Sequence, residues 1–148
     1  MVTSEDVMDP LLKIPVFSLY GDTREPTESM LDSVDILLVD LQDVGTRVYT
    51  FIYTMALSLN KARHQGKQVI VLDRPNPIGG DRIEGNCLKV AYASFVGMYP
   101  IPMRHGLTIG ELAILFNEHF GIGSELNVIP MRGWKRSMLF GDTGLPWI

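Results

Sequence analysis

Residues 34–73 read VDILLVDLQDVGTRVYTFIYTMALSLNKARHQGKQVIVLD, and this stretch decides the fold. The segments VDILLVDL (34–41) and QVIVLD (68–73) have the apolar composition of buried strands. Between them, apolar residues recur at helical spacing over 47–64, and Gly66 follows as a helix stop. A strand, a helix and a second strand in this order predict a β-α-β unit with parallel strands.

The flanking sequence repeats this alternation. Residues 15–21 have strand composition, and residues 27–33 can form a short helix with Thr27 as its N-cap. Helical spacing predicts a third helix over 108–119, and residues 125–131 can form a further strand. Apolar strands that alternate with amphipathic helices predict the α/β fold class, with a mostly parallel sheet covered on both faces.

The composition indicates one globular domain. A chain of 148 residues can bury a real core, and its 46% hydrophobic and 20% charged residues are typical of a folded protein. The net charge of −4, without a long basic run, argues against a nucleic-acid partner. No apolar run approaches the roughly 20 residues of a membrane span. Residues 1–15 are polar and acidic, unlike a signal peptide.

Motifs for common cofactors and metals are absent from the sequence. The lone Cys87 excludes an internal disulfide framework and a multi-cysteine zinc site. His64 and His119 fall at predicted helix ends, where the helix dipole favours a cation, and the three histidines lack metal-ligand spacing. Neither G-x-G-x-x-G nor G-x-x-x-x-G-K occurs. We therefore predict no metal and no cofactor.

Polar clusters follow both strands of the β-α-β unit. Because the carboxyl ends of parallel strands meet at one edge of a sheet, the two clusters should face the same groove. Asp40 fits either a site carboxylate or a helix cap, and the segment 73–77 fits either a rigid site or a plain turn. The side chains expected at this edge are Asp40, Gln42 and Asp43 from the first cluster, and Asp73, Arg74 and Asn76 from the second.

Two residues near the start of the second predicted helix also suggest a site. Thr46 is the expected N-cap, which puts Arg47 in the first turn, where a cation opposes the helix dipole. Arg47 should therefore have a partner, which can be Asp40, Asp43, Asp73 or an anionic ligand. The alternative to a site role is a purely structural ion pair. Tyr49 and Tyr53 share one helix face, which fits packing or a place at the edge.

The segment before the third helix adds further candidates. His105 can be a proton carrier, a sugar ligand or a loop tether, and Arg104 precedes it. Thr108 and Glu111 have the spacing of a capping box, which competes with a site role for Glu111. Two indoles in turn-like segments, Trp134 and Trp147, can stack on sugars or anchor loops.

Long ordered strings make the chain resemble a known bacterial family, the NamZ-type exo-β-N-acetylmuramidases. The strings are PVFSLYGDTREPT (15–27), DILLVDLQDVGTRVYTFIYTM (35–55), VIVLDRPNPIGG (69–80), FVGMYPIPMRHGLTIGELAILFN (95–117) and MRGWKRSMLFGDTGLPWI (131–148). The resemblance implies a Rossmann-like three-layer domain, incomplete here, followed in the family by a smaller C-terminal domain. We expect a poorly ordered segment over 1–14 and a partial N-terminal domain over 15–148.

The resemblance also implies a function. The family is similar to glycoside hydrolases that release N-acetylmuramic acid from the non-reducing ends of peptidoglycan fragments, in cell-wall turnover and recycling. The implied partners are muramyl saccharides, and one of Arg47, Arg74 and Arg104 should bind the lactyl carboxylate. The catalytic candidates are Asp40, Asp43 and His105; the substrate-binding candidates are Gln42, Arg47, Tyr49, Asp73, Arg74, Asn76, Arg104 and Glu111.

Two departures from the family lead us to expect a fragment: an upstream segment is missing, and the chain ends after Leu145-Pro146-Trp147, where the family continues through a proline-rich stretch into the second domain. Family members carry an upstream Glu-His-Gly segment whose Glu is a leading candidate for the general acid, and Glu118–Gly121 lies too late in the order to replace it. The family is expected to be exported, although this chain has no signal peptide. We therefore expect the isolated fragment to be inactive, and the enzyme activity is that of the family. A non-catalytic muropeptide-binding remnant and an inactive truncation product stay open as alternatives.

Overall fold

The structure is a computed structural model that describes residues 5–147. A π-helical turn occupies Leu115–His119, and short 3-10 turns occupy Val90–Tyr92 and Phe140–Thr143. In chain order the elements are β1 (Val7–Met8), β2 (Pro15–Val16), α1 (Glu28–Leu31), β3 (Ile36–Val39), α2 (Phe51–His64), β4 (Gln68–Leu72), β5 (Glu84–Cys87), β6 (Pro102–Arg104), α3 (Ile109–Ile114) and β7 (Leu126–Ile129).

The central sheet has the order β3-β4-β7, and both strand pairs are parallel. Val39 lies opposite Val71, and Leu72 lies opposite Ile129, so the three strands end at the same edge. Helix α2 connects β3 to β4, which confirms the predicted β-α-β unit and the α/β, Rossmann-like class. The two antiparallel pairs, β1-β2 and β5-β6, lie outside this sheet.

One face of the sheet carries the core. Val69 and Val71 are fully buried there, against Ile52 and Leu59 of α2 and Leu112 of α3.

The opposite face of the sheet carries exposed apolar side chains. Ile36, Leu38 and Ile129 alternate with the core positions and are 49%, 57% and 46% exposed. Within residues 5–147 the helices therefore cover only one face of the sheet. The helical layer that the three-layer prediction places on the opposite face is not among the described residues.

Helix α2 begins later than predicted. Its N-cap is Thr50, because the preceding segment pairs with β6 instead: Thr46 bridges to Arg104, and the Arg47 amide donates to the Met103 carbonyl at 2.8 Å. The prediction of Thr46 as N-cap and Arg47 in the first turn is wrong. The stop at Gly66 is confirmed, with a left-handed φ of 63° directly after the helix ends.

The two other predicted N-caps are confirmed. The Thr27 hydroxyl accepts from the Met30 amide at the start of α1, and Thr108 and Glu111 form a capping box at the start of α3. The Thr108 amide donates to Glu111 Oε2 at 2.9 Å, and the Glu111 amide donates to Thr108 Oγ1 at 3.3 Å.

The N-terminal hairpin spans the predicted domain boundary at residue 15. Strand β1 lies before the boundary and β2 starts at it, and both strands are exposed. The boundary itself stays a prediction. No helix in the described part of the chain is long and apolar enough to cross a membrane.

Candidate functional site

A cleft lies at the carboxyl edge of the parallel sheet, and it has two cavities of about 450 and 430 Å³. Asp73 and Trp134 line the first cavity, and Gln42 lines the second. Asp40 and Arg74 line both. The two polar clusters of the sequence therefore meet in one groove, as the parallel strands predict.

Asp40 and Arg74 form a bidentate ion pair in this cleft. Arg74 Nε donates to Asp40 Oδ1 at 2.5 Å, and Nη2 donates to Oδ2 at 2.8 Å. The hydrogen bond from Arg74 lowers the pKa of Asp40 below its usual range, against a smaller opposing effect of burial. Asp40 is therefore an ionised carboxylate at neutral pH, and its side chain is 44% exposed.

Asp73 is anchored to the backbone at the start of α3. Its Oδ1 accepts from the Gly110 amide at 2.8 Å and from the Arg74 amide at 3.0 Å. Burial raises the pKa of Asp73, and these hydrogen bonds only partly oppose that shift. Asp40 and Asp73 thus share one cavity wall but have pKa values displaced in opposite directions.

Asp43 and His105 form a buried pair. His105 Nδ1 accepts from the Leu107 amide at 3.2 Å, so the neutral ring carries its proton on Nε2, which lies 3.2 Å from Asp43 Oδ2. This contact is close but not directed as a hydrogen bond, and Asp43 Oδ1 has no hydrogen-bond partner among the described residues. The same Oδ2 accepts from the Gly45 amide at 2.8 Å. Neither side chain belongs to the walls of the two cavities.

Two predicted arginines are committed to the fold. Arg47 is buried, and its Nη1 donates to the carbonyls of Asn86 and Ile101, each at 2.8 Å. The prediction of an acidic partner for Arg47 is wrong, because the guanidinium binds backbone carbonyls of neighbouring loops instead. Arg104 donates to Glu84 Oε2 at 2.6 Å and to the Ile78 carbonyl.

Two amide side chains also brace loops. Asn76 is almost fully buried, donates to the Leu107 carbonyl at 2.9 Å and accepts from the Ile78 amide at 3.1 Å. Gln42 Nε2 donates to the carbonyls of Asp43 and Pro75, at 2.7 and 3.0 Å, while the residue lines the second cavity.

Glu111 and Tyr49 lie outside the cavity walls. Glu111 closes the capping box and pairs with Arg136. Tyr49 packs on Phe51 with ring centroids 4.7 Å apart, and burial raises its pKa. The site roles predicted for these residues, like those of the buried pair, stay predictions.

The chain after residue 130 contributes cavity residues that sequence reasoning missed. The Gly80 amide donates to the Arg136 carbonyl at 2.7 Å and the Phe140 amide to the Pro77 carbonyl at 3.0 Å, which folds this segment over the strand ends. Arg132 joins Trp134 on the wall of the first cavity. Trp147 packs edge-to-face on Phe140 at 4.8 Å, as a loop anchor would. No local pattern marks Arg132; only the folded-back segment brings it to the cleft.

The fold and cleft define the class of protein: a Rossmann-like α/β domain with a carboxylate, a guanidinium and an indole at the carboxyl edge of its sheet. Residues 1–148 match the family model for the exo-beta-N-acetylmuramidase NamZ, N-terminal, and the chain belongs to this family.

Similar proteins cover nearly the whole chain. This chain is 57% identical over 141 residues to the peptidoglycan beta-N-acetylmuramidase NamZ of Bacillus subtilis (strain 168). The matched region covers 95% of this chain and 34% of that protein. Two crystal structures of DUF1343 family proteins from Bacteroides fragilis NCTC 9343 also match. One has a TM-score of 0.90 with 48% identity and the other 0.80 with 34% identity, covering 95% and 90% of this chain. The chain spans 37% of each of those structures, so it corresponds to about a third of its relatives' length.

Proposed function

We propose that this chain provides the substrate cleft of a bacterial glycoside hydrolase that releases N-acetylmuramic acid from the non-reducing end of peptidoglycan fragments, in cell-wall turnover and recycling. The observation that carries the proposal is the cleft itself. It presents the Asp40 carboxylate, the Arg74 guanidinium and the Trp134 indole along the walls of one cavity, in a member of a muramidase family.

The charges in the cleft suit glycoside hydrolysis, which generally needs one carboxyl group as acid and another as nucleophile or base. The lowered pKa of Asp40 keeps it ionised, which fits a nucleophile, a base or a stabilising charge. The raised pKa of Asp73 is the direction that a general acid requires. Asp40 and Asp73 are therefore our candidates for the two roles within this chain.

Two other side chains in the cavity walls, one aromatic and one polar, support a sugar ligand. The indole of Trp134 offers an apolar face for the C–H face of a pyranose, and the Gln42 carboxamide lines the second cavity, beside Asp40. Asp43, His105 and Asn76 lie behind this surface, so we assign them to support of the loops.

A second candidate is a muropeptide-binding domain without turnover. One observation favours it: the only exposed carboxylate that lines both described cavities, Asp40, is engaged at both oxygens by Arg74.

The experiment incubates the chain with p-nitrophenyl β-N-acetylmuraminide and measures the release of p-nitrophenol. The control substrate is p-nitrophenyl β-N-acetylglucosaminide. The sequence alone predicts an inactive fragment, but Asp40 and Asp73 both lie within the chain and can supply the two carboxyl roles. We therefore expect release from the muraminide only, loss of release in Asp40→Asn, and unchanged release in the matched control Asp35→Asn, whose carboxylate is exposed before β3. Binding of the muraminide without release would support the second candidate. No binding of either glycoside would contradict both.

A further inference from the structure

We propose that Arg74 is the residue of the cleft that binds the carboxylate of a ligand. An acidic sugar then binds by replacing the Asp40 carboxylate on the Arg74 guanidinium. The inference rests on the proposed function and deepens it, because it names the residue that distinguishes an acidic sugar from its neutral counterpart. It also gives Asp40 two states, one held by Arg74 and one released by the ligand.

Three other arginines near the strand ends, Arg47, Arg104 and Arg136, are occupied by the fold. Arg47 holds two loop carbonyls inside the protein, and Arg104 holds Glu84 and a carbonyl. Arg136 pairs with Glu111 and donates to the carbonyls of Gly80 and Gly106. Moving any of these guanidinium groups onto a ligand would leave backbone carbonyls without their donors.

Arg74 differs because, among the described residues, its guanidinium donates only to a side-chain carboxylate and to no backbone carbonyl. Its Nε and Nη2 both donate to Asp40, in the planar two-point geometry that guanidinium groups use for carboxylates. A ligand carboxylate has the same shape as the Asp40 carboxylate and can occupy the same two donors.

The location of the pair makes exchange possible. Both residues line both cavities, so a ligand entering either one meets them. The side chains are 32% exposed for Arg74 and 44% exposed for Asp40, and water can solvate Asp40 once it leaves. Ion pairs this exposed are weak, so Asp40 is a poor competitor for a well-placed ligand.

Exchange would also change the chemistry of Asp40. The pKa of Asp40 is lowered mainly by its hydrogen bonds from Arg74, so release of Asp40 removes the main cause of that shift. A neutral sugar leaves the pair intact, whereas an acidic sugar frees the carboxylate beside the bound ring. N-acetylmuramic acid and N-acetylglucosamine test this directly, since they differ only by the lactyl ether that carries the carboxylate.

The experiment is titration of the chain with each of these two sugars, followed by NMR. We expect the unsubstituted chain to prefer N-acetylmuramic acid. Arg74→Gln should lose that preference while keeping its affinity for N-acetylglucosamine, and Arg74→Lys, which keeps the charge without the planar fork, should lose part of it. Asp40→Asn should bind N-acetylmuramic acid about two- to five-fold more tightly, because the competing charge is gone.

The matched control is Arg132→Gln. Arg132 lines the first cavity and makes no ion pair within residues 5–147, so its guanidinium is the other group that could bind the ligand carboxylate. The preference should survive this substitution. A preference that survives Arg74→Gln, or that disappears in Arg132→Gln, overturns the inference, as does weaker binding of N-acetylmuramic acid by Asp40→Asn.

The outcomes separate the inference from the proposed function. Equal binding of the two sugars, without any response to Arg74→Gln, would overturn the inference alone and leave a sugar-binding cleft. Binding of neither sugar by the unsubstituted chain would overturn both.

Discussion

His105 presents Nε2 to Asp43 Oδ2 at 3.2 Å in the interior of the protein, behind the cleft rather than in it. The contact joins the loop that follows β3 to the segment that precedes α3. Because these two segments support the cleft from behind, the pair holds the loops in place, and its contribution should be measurable as stability.

Removal of this pair should destabilise the fold. Asp43→Ala leaves the buried Gly45 amide without its acceptor and removes the carboxylate that lies beside His105 Nε2, so we expect a loss of about 2–3 kcal/mol in the free energy of unfolding. His105→Ala should cost a similar amount, and the double variant should cost clearly less than the sum. Urea denaturation measures all three, with exposed Asp35→Ala as a control expected within about 0.5 kcal/mol of the parent. Additive losses would show that the two residues act independently.

Gly45 should tolerate no side chain. Its φ is +84°, and a Cβ there would lie 2.5 Å from Asn76 Oδ1 and 2.5 Å from Ile78 Cγ1. Gly45→Ala combines backbone strain with overpacking, and we expect a loss of about 3 kcal/mol. Gly66→Ala is the matched control: its φ is +63° with nothing within 4 Å, so only the backbone cost of about 1–2 kcal/mol applies. Equal losses in thermal unfolding of the two variants would contradict the crowding at Gly45.

Tyr53 should make the fold sensitive to alkali. Burial raises its pKa to about 12, and its hydroxyl donates to the Arg47 carbonyl at 2.7 Å. Because the folded state keeps the proton that the unfolded state releases above pH 10, this contribution is fully present below pH 10. Between pH 10 and 12 it should be lost at about 1.4 kcal/mol per pH unit.

The comparison with Tyr53→Phe isolates this residue from the other tyrosines. Urea denaturation at pH 9 and at pH 11.5 should show a smaller decrease for the variant than for the parent. The same decrease in both proteins would show that Tyr53 ionises normally.

The Asp40–Arg74 pair should contribute little to stability. Both side chains are partly exposed, and exposed pairs are worth under about 1 kcal/mol after solvent screening. A double-mutant cycle with Asp40→Asn and Arg74→Gln measures this coupling at pH 7. The pKa of Asp40 is lowered in the folded state, so the coupling should be present above pH 3.8 and fade as the pH falls further. A coupling above about 2 kcal/mol would mark a rigid structural pair instead.

The sequence was sufficient where local pattern governs structure. The apolar strands β3 and β4 predicted the shared edge that brings Asp40 to Arg74, and the spacing of Thr108 and Glu111 predicted the cap of α3. It failed where distant segments compete for the same backbone. Arg47 lies outside the helix predicted for it because its amide donates to the Met103 carbonyl, more than fifty residues away. The spacing of nearby apolar residues does not reveal such a contact.

The cleft itself was only half predictable for the same reason. Its floor comes from the strand ends, but a wall comes from the segment around Trp134, which long-range backbone hydrogen bonds fold over the edge.

Binding of muramyl sugars at the carboxyl edge of the sheet can be tested directly through the indole resonances of the chain. Only two tryptophans are present, so the Trp134 indole is readily assigned by comparison with Trp134→Phe. On addition of N-acetylmuramic acid, the Trp134 indole resonance should shift saturably, while the Ile36 and Leu38 methyl resonances on the exposed face of the sheet stay unchanged. A saturable shift at Ile36 and Leu38 with none at Trp134 would contradict the account.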